Sequence, residues 1–312
     1  MNKGWVGMGV NKNLLGSILV LVSAAGFGIM GIAAKIAYAE GANAVSVLVM
    51  RYIIATALMW IYNALTGRLK QARVGRGQLI RAFALGGVFY TATSVCFFVS
   101  LNYIPACLTS MGLYLYPVLV SLYMLIFAKE RMGHVQLAAL FMAFVGTAMM
   151  MWAPGIYVNI IGVLLALAAA GCYAVYIVLL GGEFAGPLSD LDPIVVSSYI
   201  VTSAAITMTV TGFFAGQLYS SMTLKGWGAV LAIAFFSTAL AIITFYLGVK
   251  EVGPSKAAIL STFEPVVTVS LGVLVLKEVL SLMQLAGIIL VISAVVIINL
   301  ATARQKETAK QQ

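Results

Sequence analysis

Long apolar runs separated by short polar segments dominate the sequence. Ten of them approach or exceed the ~20 mostly apolar residues that a helix needs to cross a bilayer. We number these runs span 1 to span 10. They cover residues 14–38, 43–65, 78–102, 104–127, 134–152, 158–180, 192–214, 224–249, 254–276 and 281–302. The pattern predicts an all-α, polytopic membrane protein with ten transmembrane helices.

The chain also repeats itself. Tyr116-Pro117-Val118 and Lys129-Glu130 are matched 148 positions later by Glu264-Pro265-Val266 and Lys277-Glu278. Spans 1 and 2 align with spans 6 and 7 at offsets of 146 and 147. Each copy contains five spans, an odd number, so the second copy must enter the membrane from the opposite face. The predicted fold is therefore two inverted five-helix repeats, an arrangement typical of secondary transporters.

Four segments follow from this division. We expect a cytoplasmic N-terminal segment at 1–13, the first repeat at 14–152, the second at 158–302 and a cytoplasmic tail at 303–312. Span 1 also has the small residues Ser23-Ala24-Ala25, which are typical of a signal-peptide cleavage site. We expect span 1 to be retained, because its apolar run continues to Tyr38 and because cleavage would leave span 6 without its repeat partner.

Charge predicts the orientation. Only 9% of the residues are charged, against about 25% in soluble domains, so lipid must contact much of the surface. With the N-terminus in the cytoplasm, fourteen of the 18 basic residues lie on the inner side. The four on the outer side are Lys35, Arg51, Lys225 and Lys277. We expect a multi-pass plasma (inner) membrane protein with both termini in the cytoplasm.

Polar, aromatic and helix-disrupting residues converge near the middle of six spans: 1, 3, 4, 6, 8 and 9. Pro117 and Pro265 each lack an N–H and crowd the carbonyl four residues earlier, which frees the carbonyls of Leu113 and Ser261. A single such proline is more often a packing kink, but a matched pair in the two halves indicates a transport site. The other candidates for a central cavity are Phe27, Tyr90, Tyr114, Tyr116, Tyr173, Thr238 and Phe263.

Two charged residues lie well inside the spans. Glu264 is the only acidic residue near the middle of any span, where a carboxylate must be protonated, paired or hydrated. It could couple transport to protons or bind a substrate ammonium; alternatively, it is neutral and holds the kink. Arg51, a third of the way into span 2, could bind a substrate carboxylate or gate the outer mouth; the alternative is snorkelling to the headgroups. For Lys35 we expect snorkelling.

Other chemistries find no support in the sequence. Cys96, Cys107 and Cys172 lack metal-ligand spacing, His134 is the only histidine, and no nucleotide-binding glycine loop is present. We expect no metal, no cofactor and no enzymatic activity; an intramembrane enzyme would need a nucleophile–base or metal cluster. The net charge of +9 does not indicate nucleic acid, because the basic residues lie in short loops. The expected partners are a small-molecule substrate and membrane lipids, and a monomer is compatible with the pattern.

These features resemble the EamA branch of the drug/metabolite transporter superfamily. The resemblance covers nearly all of 14–302 and is strongest at Glu264-Pro265-Val266 with Lys277-Glu278; Arg51 also lies where that family often has arginine. It implies a basket of helices around a central cavity, alternating access, and export or uptake of small metabolites. We expect an exporter of amino acids or similar small polar metabolites that Glu264 couples to protons. The alternative is a transporter of quaternary or other organic cations in a tyrosine cage.

Overall fold

The computed structural model of the chain describes residues 12–126, 133–151, 159–181, 183–252, 257, 260–261 and 263–311. All regular secondary structure within these residues is helical. Six helices are long and apolar enough to cross a membrane, and they correspond to spans 1, 2, 3, 6, 7 and 8. Their bounds are Lys12–Ala39, Ala44–Leu65, Arg76–Ser100, Ile160–Gly181, Pro193–Phe214 and Leu224–Val252.

The other four spans contain shorter apolar helices. Span 4 is divided into two helices, and span 10 runs past its predicted end at residue 302. Its last turns are polar, but they consist mostly of good helix formers such as Ala, Gln, Lys and Glu. The bounds in spans 4, 5, 9 and 10 are Ala106–Leu113, Tyr116–Ile126, His134–Met151, Phe263–Val275 and Leu282–Gln311. The predicted fold of ten helices in two repeats is confirmed.

Spans 3 and 8, the third of each half, both contain a π-helical turn that the sequence analysis did not predict. The turns lie at Ala84–Tyr90 and Phe235–Leu240. A threonine hydroxyl donates to the carbonyl five residues earlier at each turn: Thr91 to Gly86 at 2.8 Å and Thr238 to Ile233 at 3.1 Å. Such turns are frequent at functional sites, because they redirect side chains and open the backbone hydrogen-bond ladder.

Each π turn packs against helices of the other half. The turn in span 3 packs against spans 6 and 7, and the turn in span 8 packs against spans 1 and 2. Small residues permit this approach: a Cβ at Gly86 would lie 2.1 Å from the Ile200 carbonyl oxygen, and one at Gly26 would lie 2.5 Å from the Phe236 carbonyl oxygen. The third span of each half therefore packs against the first two spans of the other half, as the symmetry of an inverted repeat predicts.

Two ion pairs join the halves at opposite membrane faces. Arg68 Nε, beyond the end of span 2, lies 3.1 Å from Asp192 Oδ2, and Lys225 Nζ lies 3.0 Å from Glu40 Oε1, before the start of span 2. Asp192 also caps span 7 by accepting from the Ile194 N–H at 2.8 Å. The two pairs are equivalent to each other by the repeat, so the halves make the same kind of contact at both faces in this conformation.

Candidate functional site

A cavity of about 290 Å³ lies between the two halves. Eight spans line it, including span 2 and span 7, which the sequence analysis did not predict. Spans 5 and 10 pack against each other, and none of their described residues lines the cavity. The polar and charged side chains of the lining are Arg51, Tyr90, Thr93, Ser94, Tyr114, Tyr116, Tyr173, Tyr176, Ser197, Tyr246, Ser261 and Glu264.

Span 4 supplies the cavity wall where its helix is interrupted. The first helix ends at Leu113, the second begins at Tyr116, and Pro117 follows immediately. The interruption turns Tyr114 and Tyr116 toward the cavity. The Tyr114 hydroxyl donates to the carbonyl of Ser261, which lies four residues before Pro265. The disrupted segments of the two halves thus meet directly.

Five tyrosines form a continuous aromatic wall. Ring centroids are 6.1 Å apart for Tyr114 and Tyr116, and 4.7 Å apart for Tyr116 and Tyr173. The wall continues through Tyr176, stacked 5.6 Å from Tyr173, to Tyr90 at 5.7 Å from Tyr176. Their order places Tyr114, beside the span 9 segment, at one end and Tyr90 at the other. The wall offers π faces for a cation and hydroxyl groups for a polar ligand.

Arg51 lies at the Tyr90 end of this wall and connects the two π turns. Its Nε donates to Thr238 Oγ1 at 2.9 Å, and its Nη2 donates to the Tyr90 hydroxyl at 3.3 Å. The guanidinium carbon lies 4.9 Å from the Tyr52 ring centroid and 5.4 Å from that of Phe98. Arg51 is only 2% exposed, so it does not snorkel to the headgroups.

One nitrogen of this guanidinium is unpaired. Arg51 Nη1 is buried and has no hydrogen-bond partner within the part of the chain that the structure describes. No ion pair to Arg51 is present among those residues either. A buried neutral donor without a partner costs about 1–3 kcal/mol of stability, and a buried charged donor without a partner costs more. Within the described residues, Arg51 therefore has neither a partner for Nη1 nor a counter-charge.

Glu264 is the acidic residue of the lining. Its carboxylate makes no ion pair or side-chain hydrogen bond with the described residues, and it lies within electrostatic range of Tyr114, Tyr116 and Tyr173. Span 1 approaches the same segment closely, since a Cβ at Gly28 would lie 2.9 Å from the Glu264 carbonyl oxygen. The cavity lining thus contains a guanidinium and a carboxyl group that are not bonded to each other.

The remaining predicted site residues divide into two groups. Phe27 lines the cavity with the tyrosines. Thr238 is fully buried and lies behind Arg51, while Phe263 is 43% exposed and lies outside the lining. Pro265 is buried in its helix. Among the described residues, no group of three His, Cys, Asp or Glu side chains could hold a metal ion.

The sequence analysis predicted Tyr90 and Tyr173 but missed other lining residues on the same helix faces. In span 3, Thr93, Ser94 and Phe97 follow Tyr90 at the i+3, i+4 and i+7 positions. In span 6, Ile177 and Leu180 follow Tyr173 at i+4 and i+7. In an apolar span, a stripe of polar and aromatic residues at this spacing was the signal available to find them.

Comparison with known proteins gives one family. The family model described as the EamA-like transporter family matches residues 14–152 and again residues 160–300. Two relatives from Bacillus subtilis (strain 168) are similar over most of their length. The uncharacterized transporter YyaM is 26% identical over 84% of this chain and 86% of its own. The uncharacterized transporter YcbK is 27% identical over 89% of this chain and 90% of its own.

A solved crystal structure has the same fold. It aligns with a TM-score of 0.64 over 93% of this chain and 97% of its own chain. At 19% identity the likeness concerns the fold alone.

Proposed function

Because this chain belongs to the EamA-like transporter family, we propose that it is an alternating-access secondary transporter that exports small zwitterionic metabolites such as amino acids. Its family and relatives indicate a multi-pass membrane transporter rather than an enzyme. The proposed substrate class rests on one observation: Arg51 and Glu264 line the same cavity, and no ion pair joins them.

Arg51 is suited to bind the carboxylate of such a substrate. Thr238 and Tyr90 fix the guanidinium on two sides and leave Nη1 free. A carboxylate bound there would supply the missing acceptor and the missing counter-charge together. Arginine–carboxylate hydrogen bonds are short and strong because both partners are charged, and the planar guanidinium adds directional selectivity.

Glu264 and the tyrosines are suited to bind the ammonium group. The Glu264 carboxylate supplies the opposite charge, and the faces of Tyr116 and Tyr173 supply cation–π attraction. A zwitterion would satisfy both buried charges, whereas a cation or an anion alone would leave one unpaired. The cavity lies just below the range of about 300–1,000 Å³ typical of ligand pockets, which favours a small substrate.

The same arrangement supports the proposal of export and of proton coupling. The lining reaches Leu180 at the end of span 6 and Ser197 near the start of span 7, which is the cytoplasmic face in the orientation that places both termini inside the cell. An exporter of the plasma membrane loads its substrate from that face. A proton and a substrate ammonium would compete for the one carboxylate of Glu264, and this competition would exchange one for the other.

The aromatic wall also favours a second candidate, a transporter of quaternary or other organic cations. Five contiguous tyrosine rings could surround such a cation, with Glu264 as the counter-charge. The Arg51 guanidinium argues against it, because a second cation in the same cavity would be repelled. We therefore rank the zwitterion first.

Thermal unfolding of the purified protein distinguishes the two. A ligand that binds only the folded protein raises its stability, by about 2.7 kcal/mol at a concentration of 100 Kd. We expect some amino acids to raise the unfolding temperature. The matched amine, which lacks only the carboxylate, should have little effect, as should choline-like compounds. Stabilisation by choline-like compounds and not by amino acids would establish the second candidate. Equal stabilisation by an amino acid and its amine would exclude the role of Arg51.

A further inference from the structure

The segment between spans 9 and 10 is fastened to the opposite half of the protein by Glu278. Its Oε1 accepts from the Ala106 N–H at 2.6 Å, and its Oε2 accepts from the Cys107 N–H at 3.2 Å. These are the first two residues of the helix Ala106–Leu113 in span 4, and the first N–H groups of a helix have no partner within that helix. The carboxylate also complements the positive end of the helix dipole.

The end of the span 9 helix directs Glu278 to this position. Lys277 has a φ of 54°, and within the described residues it is the only non-glycine residue in the left-handed region. The Glu278 N–H donates to the Gly272 carbonyl, six residues earlier, at 3.0 Å. Gly272 leaves the space for the carboxylate, because a Cβ there would lie 2.7 Å from Glu278 Oε2. Lys35, half-buried in span 1, lies within electrostatic range of the same carboxylate.

This contact lies between the cavity and one membrane face. The helix Ala106–Leu113 is buried from Ala106 to Gly112, and the cavity lining begins at Leu113. Toward the other face, the lining continues to Leu180, the next-to-last residue of span 6. The amino end of span 4, with Glu278 on it, therefore lies between the lining residues of span 4 and the predicted outer face.

The two ion pairs between described residues of the halves differ from the Glu278 contact in their relation to the two membrane faces. The Arg68–Asp192 and Glu40–Lys225 pairs are both formed in the same conformation, one at each face. A contact present at both faces at once does not distinguish which face is open. The Glu278 contact instead joins the disrupted span 4 of one half to the disrupted span 9 of the other.

We propose that Glu278 is the latch of the predicted outer face: its carboxylate holds span 9 on the amino end of span 4, and this face opens only when that contact breaks. The inference rests on the alternating-access function proposed above. The latch is a bond between two parts of this chain and does not depend on which substrate is carried.

The first test uses Cys107 as a reporter of opening. Cys107 is fully buried, and its own N–H is bound by the latch. With Cys96 and Cys172 replaced by alanine, we expect Glu278→Gln to raise the rate of maleimide labelling at Cys107 at least fivefold in nanodiscs. Glu40→Gln, a carboxylate at the same face, is the matched control and should leave the rate unchanged. Equal rates in the Glu278→Gln and Glu278 proteins, or an equal increase in the control, would overturn the proposal.

The second test locks the latch covalently. A Cβ added at Gly272 would lie 3.8 Å from the Cys107 Cβ, within the ~3.5–4.5 Å of disulfides. In a protein carrying Gly272→Cys and Glu278→Ala, oxidation should form this disulfide and stop transport, and a reductant should restore it. The protein with Gly272→Ser and Glu278→Ala should be insensitive to oxidant. Continued transport with the disulfide formed would show that the contact need not break.

The two proposals can fail separately. If no amino acid is transported by the parent protein, the substrate class is wrong, while Cys107 labelling still reports on the latch. If amino acids are transported but labelling is unaffected by Glu278→Gln, the latch is wrong and the substrate class stands.

Discussion

The Tyr114 hydroxyl donates a hydrogen bond to the backbone carbonyl of Ser261, across the boundary between the two halves. Ser261 lies four residues before Pro265, which has no N–H to offer that carbonyl. Tyr114 itself lies in the interruption of span 4 that precedes Pro117. Tyr114, in the interruption of span 4, thus donates a hydrogen bond to the carbonyl that Pro265 leaves without its usual helical donor in span 9.

Replacing Tyr114 with phenylalanine should lower stability. The ring is retained, but the Ser261 carbonyl loses its hydrogen-bond donor, at a cost of about 0.5–1.5 kcal/mol for a typical hydrogen bond. We expect a lower unfolding temperature for Tyr114→Phe in detergent, measured by tryptophan fluorescence or by differential scanning fluorimetry.

A second substitution, Pro265→Ala, tests whether the effect of Tyr114→Phe depends on the proline. Alanine restores an N–H at position 265, so the Ser261 carbonyl can be satisfied within its own helix. The effect of Tyr114→Phe should therefore be smaller in the Pro265→Ala protein, a non-additivity that a double-mutant cycle measures directly. Additive effects would mean that the hydroxyl stabilises the fold in some other way.

Arg51→Lys should weaken binding of a zwitterionic substrate about tenfold, or roughly 1.4 kcal/mol. Lysine retains the charge, but its compact ammonium cannot hold Thr238, Tyr90 and a substrate carboxylate in the fixed geometry of a guanidinium. Thr238→Val, which removes the acceptor of Arg51 Nε and the donor to the Ile233 carbonyl but keeps the guanidinium, should cause a smaller loss. Isothermal titration of the purified proteins with the best amino acid ligand gives both affinities.

Arg68→Lys is the control for this substitution. Arg68 is paired with Asp192 and is not among the residues that line the cavity, so its replacement should leave the affinity unchanged. If Arg51→Lys binds amino acids as tightly as the parent protein, the carboxylate does not bind at Arg51.

The ten spans and their duplication could be predicted because both depend on local sequence. Apolar length marks each span, and a constant offset marks the repeat. The depth of Glu264 and of the tyrosines followed from counting residues along a helix of known rise. These quantities need no knowledge of how the helices are arranged around each other.

The environment of Arg51 could not be predicted in this way. Whether it snorkels or turns inward depends on Thr238 and Tyr90, which are 187 and 39 residues away in the chain. The π turns have the same origin, since Gly86 rests against the Ile200 carbonyl of the other half. Each of these features arises from contacts between distant segments, which the local hydrophobic pattern does not encode.

The Glu40–Lys225 pair makes stability depend on pH. Hydrogen bonds from Thr223 and Lys225 hold the pKa of Glu40, which lies beyond the end of span 1, below its usual range. The unfolded chain then takes up a proton at higher pH than the folded protein does. This contribution is therefore present above the unfolded pKa of about 4.5 and is lost as the pH falls below it.

We expect the unfolding temperature of the parent protein to fall more steeply than that of Glu40→Gln between about pH 5 and about pH 3, the range in which a glutamate usually titrates. Thr223→Val should reduce the difference, because it removes one of the two donors that lower the pKa. Parallel curves for the parent and Glu40→Gln proteins would show that the contact does not discriminate between the two protonation states.

Glu264→Gln should abolish transport driven by a pH gradient while preserving exchange. Glutamine has nearly the same shape, but it cannot take up or release a proton, so substrate movement is no longer exchanged for proton movement. In proteoliposomes with an acidic interior, we expect the parent protein to accumulate labelled amino acid above its equilibrium level. The Glu264→Gln protein should only equilibrate it, with weaker affinity, and should still show counterflow. Glu40→Gln should behave like the parent protein. Accumulation by Glu264→Gln with an unchanged pH profile would exclude Glu264 as the coupling group.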